Sequence, residues 1–402
     1  MTATRIGSLV PRGSRHVFSF LLTALLVETL FFVVLSPLLP VYTRELHLGR
    51  VAAGVMSASY AIGFGVAAIP AGAIVGSIGD RRVAIGGLML VGLSCTAFGT
   101  VRNVVALDGA RTLTGVGAAA VWAGSIPWLV SLGAEGARGR LIGLAFSAAS
   151  AGACAGPAVG ALATITGPEP VFLSLGILII ALGLAGIRAA AGAGGSIASR
   201  APRSTLSGRA LGRALHAPGA QPAVTMVALP SVAFGVIGVL APLRLRALGV
   251  AEPGIAAGFL AAAFVEVVTN ALVGRWFDRS GGARVLRVTL TGSTACLVAM
   301  ALPLPAGLLL VCLIVSLPVI GSVWVPALAT LSDVVEGHGS QPGVALGLFN
   351  LTWAGSQITG AVGGAQLSAL GEAVPLGVLA ILCAAGAGAA GRLRGAVAQP
   401  RA

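Results

Sequence analysis

Twelve apolar stretches follow one another along the chain, most of them 19 to 27 residues long, and they constrain the fold more than any other feature. A helix rises about 1.5 Å per residue, so about 20 residues cross a hydrocarbon layer about 30 Å thick. The stretches lie near residues 17–41, 51–76, 83–101, 104–131, 141–165, 171–190, 223–243, 254–276, 285–303, 306–331, 343–369 and 373–391. None shows the strict apolar and polar alternation over about ten residues that marks a barrel strand. Lipid offers the backbone no hydrogen bonds, so helices are what remain. Composition agrees, because 9% of the 402 residues are charged, against about a quarter in a soluble domain. The expected fold is an all-α membrane protein with 12 transmembrane helices.

Every one of the 25 basic residues is arginine, and their spacing sets the expected topology. With the N-terminus in the cytoplasm, 19 arginines fall in inner segments, whereas only Arg44, Arg50, Arg102, Arg244 and Arg246 fall in outer ones. The positive-inside rule therefore places both termini in the cytoplasm of a multi-pass cell-membrane protein. A net charge of +13 also suits nucleic-acid binders, but these charges are dispersed over short loops and make no single patch, so no nucleic-acid partner is expected.

Several chemistries are excluded by what the sequence lacks. Without lysine there is no phosphate-cradling G-x-x-x-x-G-K-S/T loop. G-x-S-x-G and H-E-x-x-H are absent, and His16, His47, His216 and His338 fall in termini or loops, so no enzyme, cofactor or metal is expected. Cys95, Cys154, Cys296, Cys312 and Cys383 lie inside apolar spans without ligand spacing and read as packing residues. The first apolar run is long enough to span and carries no cleavage site, so it reads as a helix and not a signal peptide. "LVPRGS" at residues 9–14 matches a thrombin-cleavage scar or a chance string and is set aside.

The chain also repeats itself. "GSIGDR" (Gly76, Asp80, Arg81) follows the second span, and "GRWFDR" (Gly274, Asp278, Arg279) follows the eighth, 198 residues later. In the fifth span Gly143, Gly152, Gly156 and Gly160 are matched 204 residues on by Gly347, Ser356, Gly360 and Gly364. Two six-helix bundles are expected, at 17–190 and 223–391, flanked by cytoplasmic tails at 1–16 and 392–402. The Gly-, Ser-, Pro- and Arg-rich residues 191–222 read as a flexible cytoplasmic linker. A parallel repeat of this kind suits a transporter that binds cargo near the midplane and exposes it alternately to each side.

Here the residues carry a resemblance. The two G-x-x-x-D-R loops resemble the loop signature of the major facilitator superfamily, and "RTLTGVGAA" from Arg111 resembles its fourth-helix signature. The pattern Gly143, Gly152, Gly156, Pro157, Gly160 resembles the fifth-helix antiporter motif of the family's drug:proton exporters. The resemblance implies the family's fold, antiport, and a proton-transfer role for Arg111. Two departures stand out: the first loop reads "GDRRVAIGG", without the Gly turn that "DRSGGAR" keeps after Asp278-Arg279, and the fifth-helix motif ends Gly160-Ala161. Glycines four apart let helices approach closely and Pro157 removes one ladder hydrogen bond, so a kinked fifth helix is expected to seal against the opposite half.

The few polar residues within the spans are the candidate chemistry. Glu28 lies about eleven residues into the first span, roughly 16 Å deep, and Glu266 is similarly central in the eighth. An ionised carboxylate is costly there, which makes each either a proton carrier or a hydrogen-bonded structural acid, with Asn270 one turn from Glu266 able to satisfy it. Arg111 either pairs with Asp108, three residues earlier on the same helix side, or governs proton release from an acid such as Glu28. Asn350, Trp353 and Gln357 share one face of the eleventh span and, with Trp122, line a cargo cavity or make interhelical contacts. Asp80 and Asp278 are expected to cap a neighbouring helix and latch one conformation, or to be idle surface charges.

These residues point to proton-coupled export of small, largely apolar or amphipathic molecules by a monomer in the bilayer, with protons and the cargo as partners. A proton-linked importer shares most of the architecture, and a non-transporting sensor or scaffold would keep the fold without turnover.

Overall fold

Burying backbone polar groups in lipid leaves a chain of this composition little but helix, and helix is what it forms. The computed structural model of the protein describes residues 10–133, 137–192, 208–280, 282–338 and 342–390. Sixteen α-helices run through them: α1 Arg15–Val33, α2 Leu35–Glu45, α3 Arg50–Ile78, α4 Asp80–Thr100, α5 Val104–Ser131, α6 Arg138–Thr166, α7 Pro168–Gly192, α8 Gly208–Leu215, α9 Ala220–Ala247, α10 Glu252–Ser280, α11 Gly282–Ala301, α12 Ala306–Gly321, α13 Trp324–Gly337, α14 Pro342–Ile358, α15 Gly364–Leu367 and α16 Ala373–Ala390. A π-helical stretch, Thr359–Gly363, joins α14 to α15.

These helices fall on the twelve expected spans. The first span is α1 with α2, broken at Val34; the tenth is α12 with α13, broken at Ser322–Val323; the eleventh is α14, the π-stretch and α15. Among the described residues, ten spans are long and apolar enough to cross a membrane by length and composition alone. The other two are α11, whose first turns carry Arg284 and Arg287, and α14, which runs 17 residues before the π-stretch. Of the expected linker, residues 193–207 lie outside the described residues, but 208–215 form α8, with Leu211 and Ala214 buried. That segment is helical because its apolar side chains fall on one face. The tails at 1–9 and 391–402 also lie outside the described residues.

The chain divides into two compact units. One comprises Met1–Leu35 and Ser59–Ser207, the other Ser36–Ala58 and Gly208–Ala402. The sequence pattern assigns residues 36–58 to the first bundle; in the structure they group with the second unit. Within the first unit, Phe31, Phe98 and Phe172 meet edge to face, with ring centroids 5.0 to 6.0 Å apart. Large apolar side chains such as Val66, Ile165 and Ile381 are exposed, as lipid contact demands. Hydroxyls inside the spans bond to the carbonyl one turn back, for example Thr114 to Ala110 O at 2.9 Å and Ser231 to Val227 O at 2.8 Å.

The two loop hexapeptides part company in three dimensions. In "GSIGDR", Gly79 adopts φ +90° and turns the chain, so Asp80 is the first residue of α4 and accepts the Arg81 backbone N–H at 2.8 Å. Asp80 thus faces the N-terminal dipole of its own helix. In "GRWFDR", Phe277 stands where Gly79 stands, and α10 continues through Asp278 and Arg279 to Ser280. A positive φ suits glycine and not phenylalanine, which is why the same motif spans a turn once and stays helical the second time. The side chain of Asp278 lies outside those described.

Candidate functional site

Glu28 is the centre of the first unit's polar cluster. Its side chain is 2% exposed, and both carboxylate oxygens are engaged. Oε1 accepts the Tyr60 hydroxyl from α3, and Oε2 accepts the Trp122 indole N–H from α5 at 2.9 Å. The neighbouring Thr29 hydroxyl reaches Oε2 at 3.1 Å and Leu25 O at 3.0 Å. Three helices therefore converge on one acid, and each brings a neutral donor. The sequence pointed to Glu28 and Trp122 but missed Tyr60 and Thr29. Tyr60 had a signal, because only two tyrosines occur in the chain and this one lies inside a span.

Arg111 is also 2% exposed. Its guanidinium donates to Phe32 O at 2.9 Å and Phe31 O at 3.5 Å, and it lies over the rings of Tyr60 and Phe31, 5.8 and 6.0 Å from their centroids. Those carbonyls belong to the last turn of α1, where a helix leaves acceptors without partners in its own ladder. Arg111 thus caps the break in the first span and touches the ring that holds Glu28. Asp108 accepts a hydrogen bond from Ser59 and feels the Arg111 charge.

The antiporter-motif glycines are a packing device within the first unit. Gly152 lies against Leu26 O, and a Cβ on Gly156 would sit 2.9 Å from Leu30 O and 3.0 Å from Val33 Cβ. Both therefore face α1 of their own unit, where the sequence suggested the opposite half. Gly160 and Pro157 are buried on the same helix, and Gly143 is exposed with nothing within 4 Å of its Cβ direction. In the second unit Gly360 lies against Val232 O and Gly364 against Val236 of α9. The repeat thus preserves one contact, the fifth span on the first and the eleventh on the seventh.

At the repeat position of Pro157 the eleventh span carries the π-stretch 359–363. One half interrupts its hydrogen-bond ladder with proline, the other with a widened turn.

The acid moves between the halves. Trp324 on α13, in the tenth span as Trp122 is in the fourth, donates its indole N–H to Ser231 Oγ at 3.1 Å, where Trp122 donates to Glu28. The second unit's acid, Glu266, hangs from α10 instead. It is half-buried against Gly321, near Phe234, and bonds to Asn270, whose Oδ1 has no hydrogen-bond partner among the described residues. Phe234 packs on Trp324 at 4.7 Å. Ser231, Phe234 and Trp324 were not legible as site residues. Asn350 and Trp353 are half-buried and Gln357 buried in the eleventh span of the second unit, whereas Trp122 stands in the first, tilted on Phe146 at 5.4 Å. Of the loop residues, Gly76 and Gly274 have nothing within 4 Å of their Cβ directions, Arg81 lies over Trp128 at 5.7 Å, and Arg279 is exposed.

Long apolar helices with Glu28 buried among them make this an integral membrane protein. Residues 21–361 match the Major Facilitator Superfamily, and the chain belongs to that superfamily. Over 164 residues it is also 29% identical to "Multidrug resistance protein 1" of Bacillus subtilis (strain 168), a match covering 40% of this chain and 42% of that protein.

Proposed function

We propose that the protein exports small, largely apolar or amphipathic molecules in exchange for protons, by alternating access, with both termini in the cytoplasm. The observation that carries this reading is the Glu28 cage. A carboxylate accepts hydrogen bonds and gives none, and both its oxygens here face donors. Protonation turns one oxygen into a donor. Indole N–H can only donate, but the Tyr60 and Thr29 hydroxyls can rotate to accept; Thr29 sits on the same helix as Glu28, so Tyr60 is the partner that can carry a change in Glu28 to another helix. Its ring in turn lies under Arg111, which caps the end of α1. Proton uptake at Glu28 thereby reaches the break in the first span through two contacts.

In this cycle the proton enters Glu28 from outside and weakens cargo binding; the reset protein releases the proton inside and takes up cargo. Each elementary charge moved through 100 mV supplies about 2.3 kcal/mol, enough for nearly a fifty-fold cargo gradient. The name of the Bacillus relative, a multidrug resistance protein, supports cargo of this broad kind. The test is Glu28→Gln in proteoliposomes, scored on a panel of lipophilic dyes under an imposed pH gradient. Loss of gradient-driven movement with the fold intact is expected; undiminished movement of a dye that the unmutated protein moves refutes it.

A further inference from the structure

The tenth span breaks inside the second unit and leaves one carbonyl unanswered. α12 ends at Gly321, α13 begins at Trp324, and the gap between them is buried, with Ser322 2% exposed. Three carbonyls of the last turn of α12 find donors: Pro318 O takes the Ser322 N–H at 3.0 Å, Val319 O the Ser322 hydroxyl at 2.7 Å, and Ile320 O the Val323 N–H at 3.2 Å. Ser322 O takes none. Its ladder partner would be residue 326, a proline without an N–H, and no other donor among the described residues closes on it. A buried main-chain carbonyl without a donor is rare and costly. Proline alone does not make such a break, because the fourth span runs unbroken as α5 through its own Pro127.

Two more oxygens short of donors stand beside this carbonyl. Glu266 on α10 presses Oε1 against Gly321, the residue before Ser322. The Asn270 amide, one turn further along α10, donates to that carboxylate and leaves its own Oδ1 buried without a partner among the described residues. The C-terminus of α12 adds the negative end of a helix dipole at the same place. Carboxylate, amide and main-chain oxygens gathered in this way are the ligands of a hard cation. Unwound carbonyls and half-helix C-termini hold Na+ in this manner in membrane transporters of other folds. The size of the ion follows from the packing. A Cβ at Gly321 would meet Glu266 on one side and Phe234 Cζ at 3.4 Å on the other, so a carbon-bearing ammonium does not fit between acid and break.

We propose that the break in the tenth span is a Na+ site, with Glu266, Asn270 Oδ1 and Ser322 O as its ligands. Bound there, the ion ties the eighth span to the tenth and answers the one carbonyl that the helix break leaves without a donor. The site lies wholly in the second unit and is independent of the proton reading of Glu28.

Thermal unfolding of the purified protein, followed at one fixed alkaline pH and constant ionic strength with Na+ replacing N-methyl-D-glucamine, tests this. The midpoint should rise with Na+ and go on rising with each tenfold increase above the dissociation constant, as one-site linkage requires. Glu266→Gln should abolish the rise. Pro326→Ala gives Ser322 O an N–H and should weaken the response, so that about tenfold more Na+ is needed for the same shift, the scale of one polar contact to a charge. Glu28→Gln should leave the response intact. Equal midpoints in Na+ and N-methyl-D-glucamine, or a Na+ shift that survives Glu266→Gln, overturn the proposal. Should Glu266→Gln fail to fold, Pro326→Ala decides, and an undiminished shift in that variant overturns it.

Discussion

Alanine at Gly152 and alanine at Gly143 make the same chemical change on the same helix, and the structure predicts opposite results. Replacing glycine by alanine in a helix interior stabilises it by about 1 kcal/mol, because the unfolded chain loses freedom. At Gly143 nothing lies within 4 Å of the new methyl, so that gain should appear whole. At Gly152 the methyl would overlap the Leu26 carbonyl, with Leu26 Cα only 3.1 Å away, and α1 must move aside. Forcing one carbon into such a contact costs about 1 to 3 kcal/mol. The helix term cancels between the two variants, so their difference reports packing alone: Gly152→Ala should be less stable than Gly143→Ala by about 1 to 3 kcal/mol. Thermal unfolding of the purified variants, followed by tryptophan fluorescence, should place them on opposite sides of the unmutated protein or separate them by several degrees. Equal midpoints would refute the claim that α6 and α1 touch through this glycine. Gly360→Ala against Gly355→Ala repeats the comparison in the second unit, where Gly360 meets Val232 O and Gly355 is open.

Other outcomes follow from the same geometry. Tyr60→Phe removes the donor to Glu28 Oε1 and should cost about 1 to 3 kcal/mol in stability, with proton-driven transport falling more than for Phe64→Tyr; unchanged transport would show that Tyr60 only fills space. Trp122→Phe keeps the ring and loses the indole N–H, so it should shift the pH dependence of transport without altering expression, and an unmoved pH profile would separate Trp122 from Glu28. Gly79→Ala places a side chain at φ +90° and should cost about 1 to 2 kcal/mol in thermal unfolding, whereas Gly274→Ala, inside α10 with free space around it, should not destabilise. Arg111→Gln uncaps Phe31 O and Phe32 O and should speed hydrogen exchange in the 33–36 segment; exchange unchanged there would remove Arg111 from the break.

Much of the architecture is legible because its cause is local. Span lengths and the 204-residue glycine register follow from bilayer thickness and helix rise, and the fifth-span glycines do meet a neighbouring helix. Which helix they meet was not legible: the stripe states that something approaches closely and leaves open what does. Glu28 is legible because a buried acid is costly to leave unsatisfied; its pairing with Trp122 is not, since the sequence offers Trp122 only as cavity lining or as an interhelical contact. Tyr60 is not legible either, since a lone tyrosine in a span reads equally as packing. The break at Val34 has a local cause in Pro37, which lacks the N–H that Val33 O would accept and crowds that carbonyl, whereas the capping Arg111 lies far away in sequence and was not legible. The divergent loops show the reverse case, where one position, Gly79 against Phe277, carries the whole difference.

The central claim is that the Glu28 carboxyl changes its protonation during the cycle. Difference infrared spectroscopy of the carboxyl stretch during a titration between about pH 5 and pH 9 tests it without any cargo. The account predicts a carboxyl band that gains and loses intensity across this range and is absent from Glu28→Gln. A spectrum in which the variant subtracts no titrating band contradicts it.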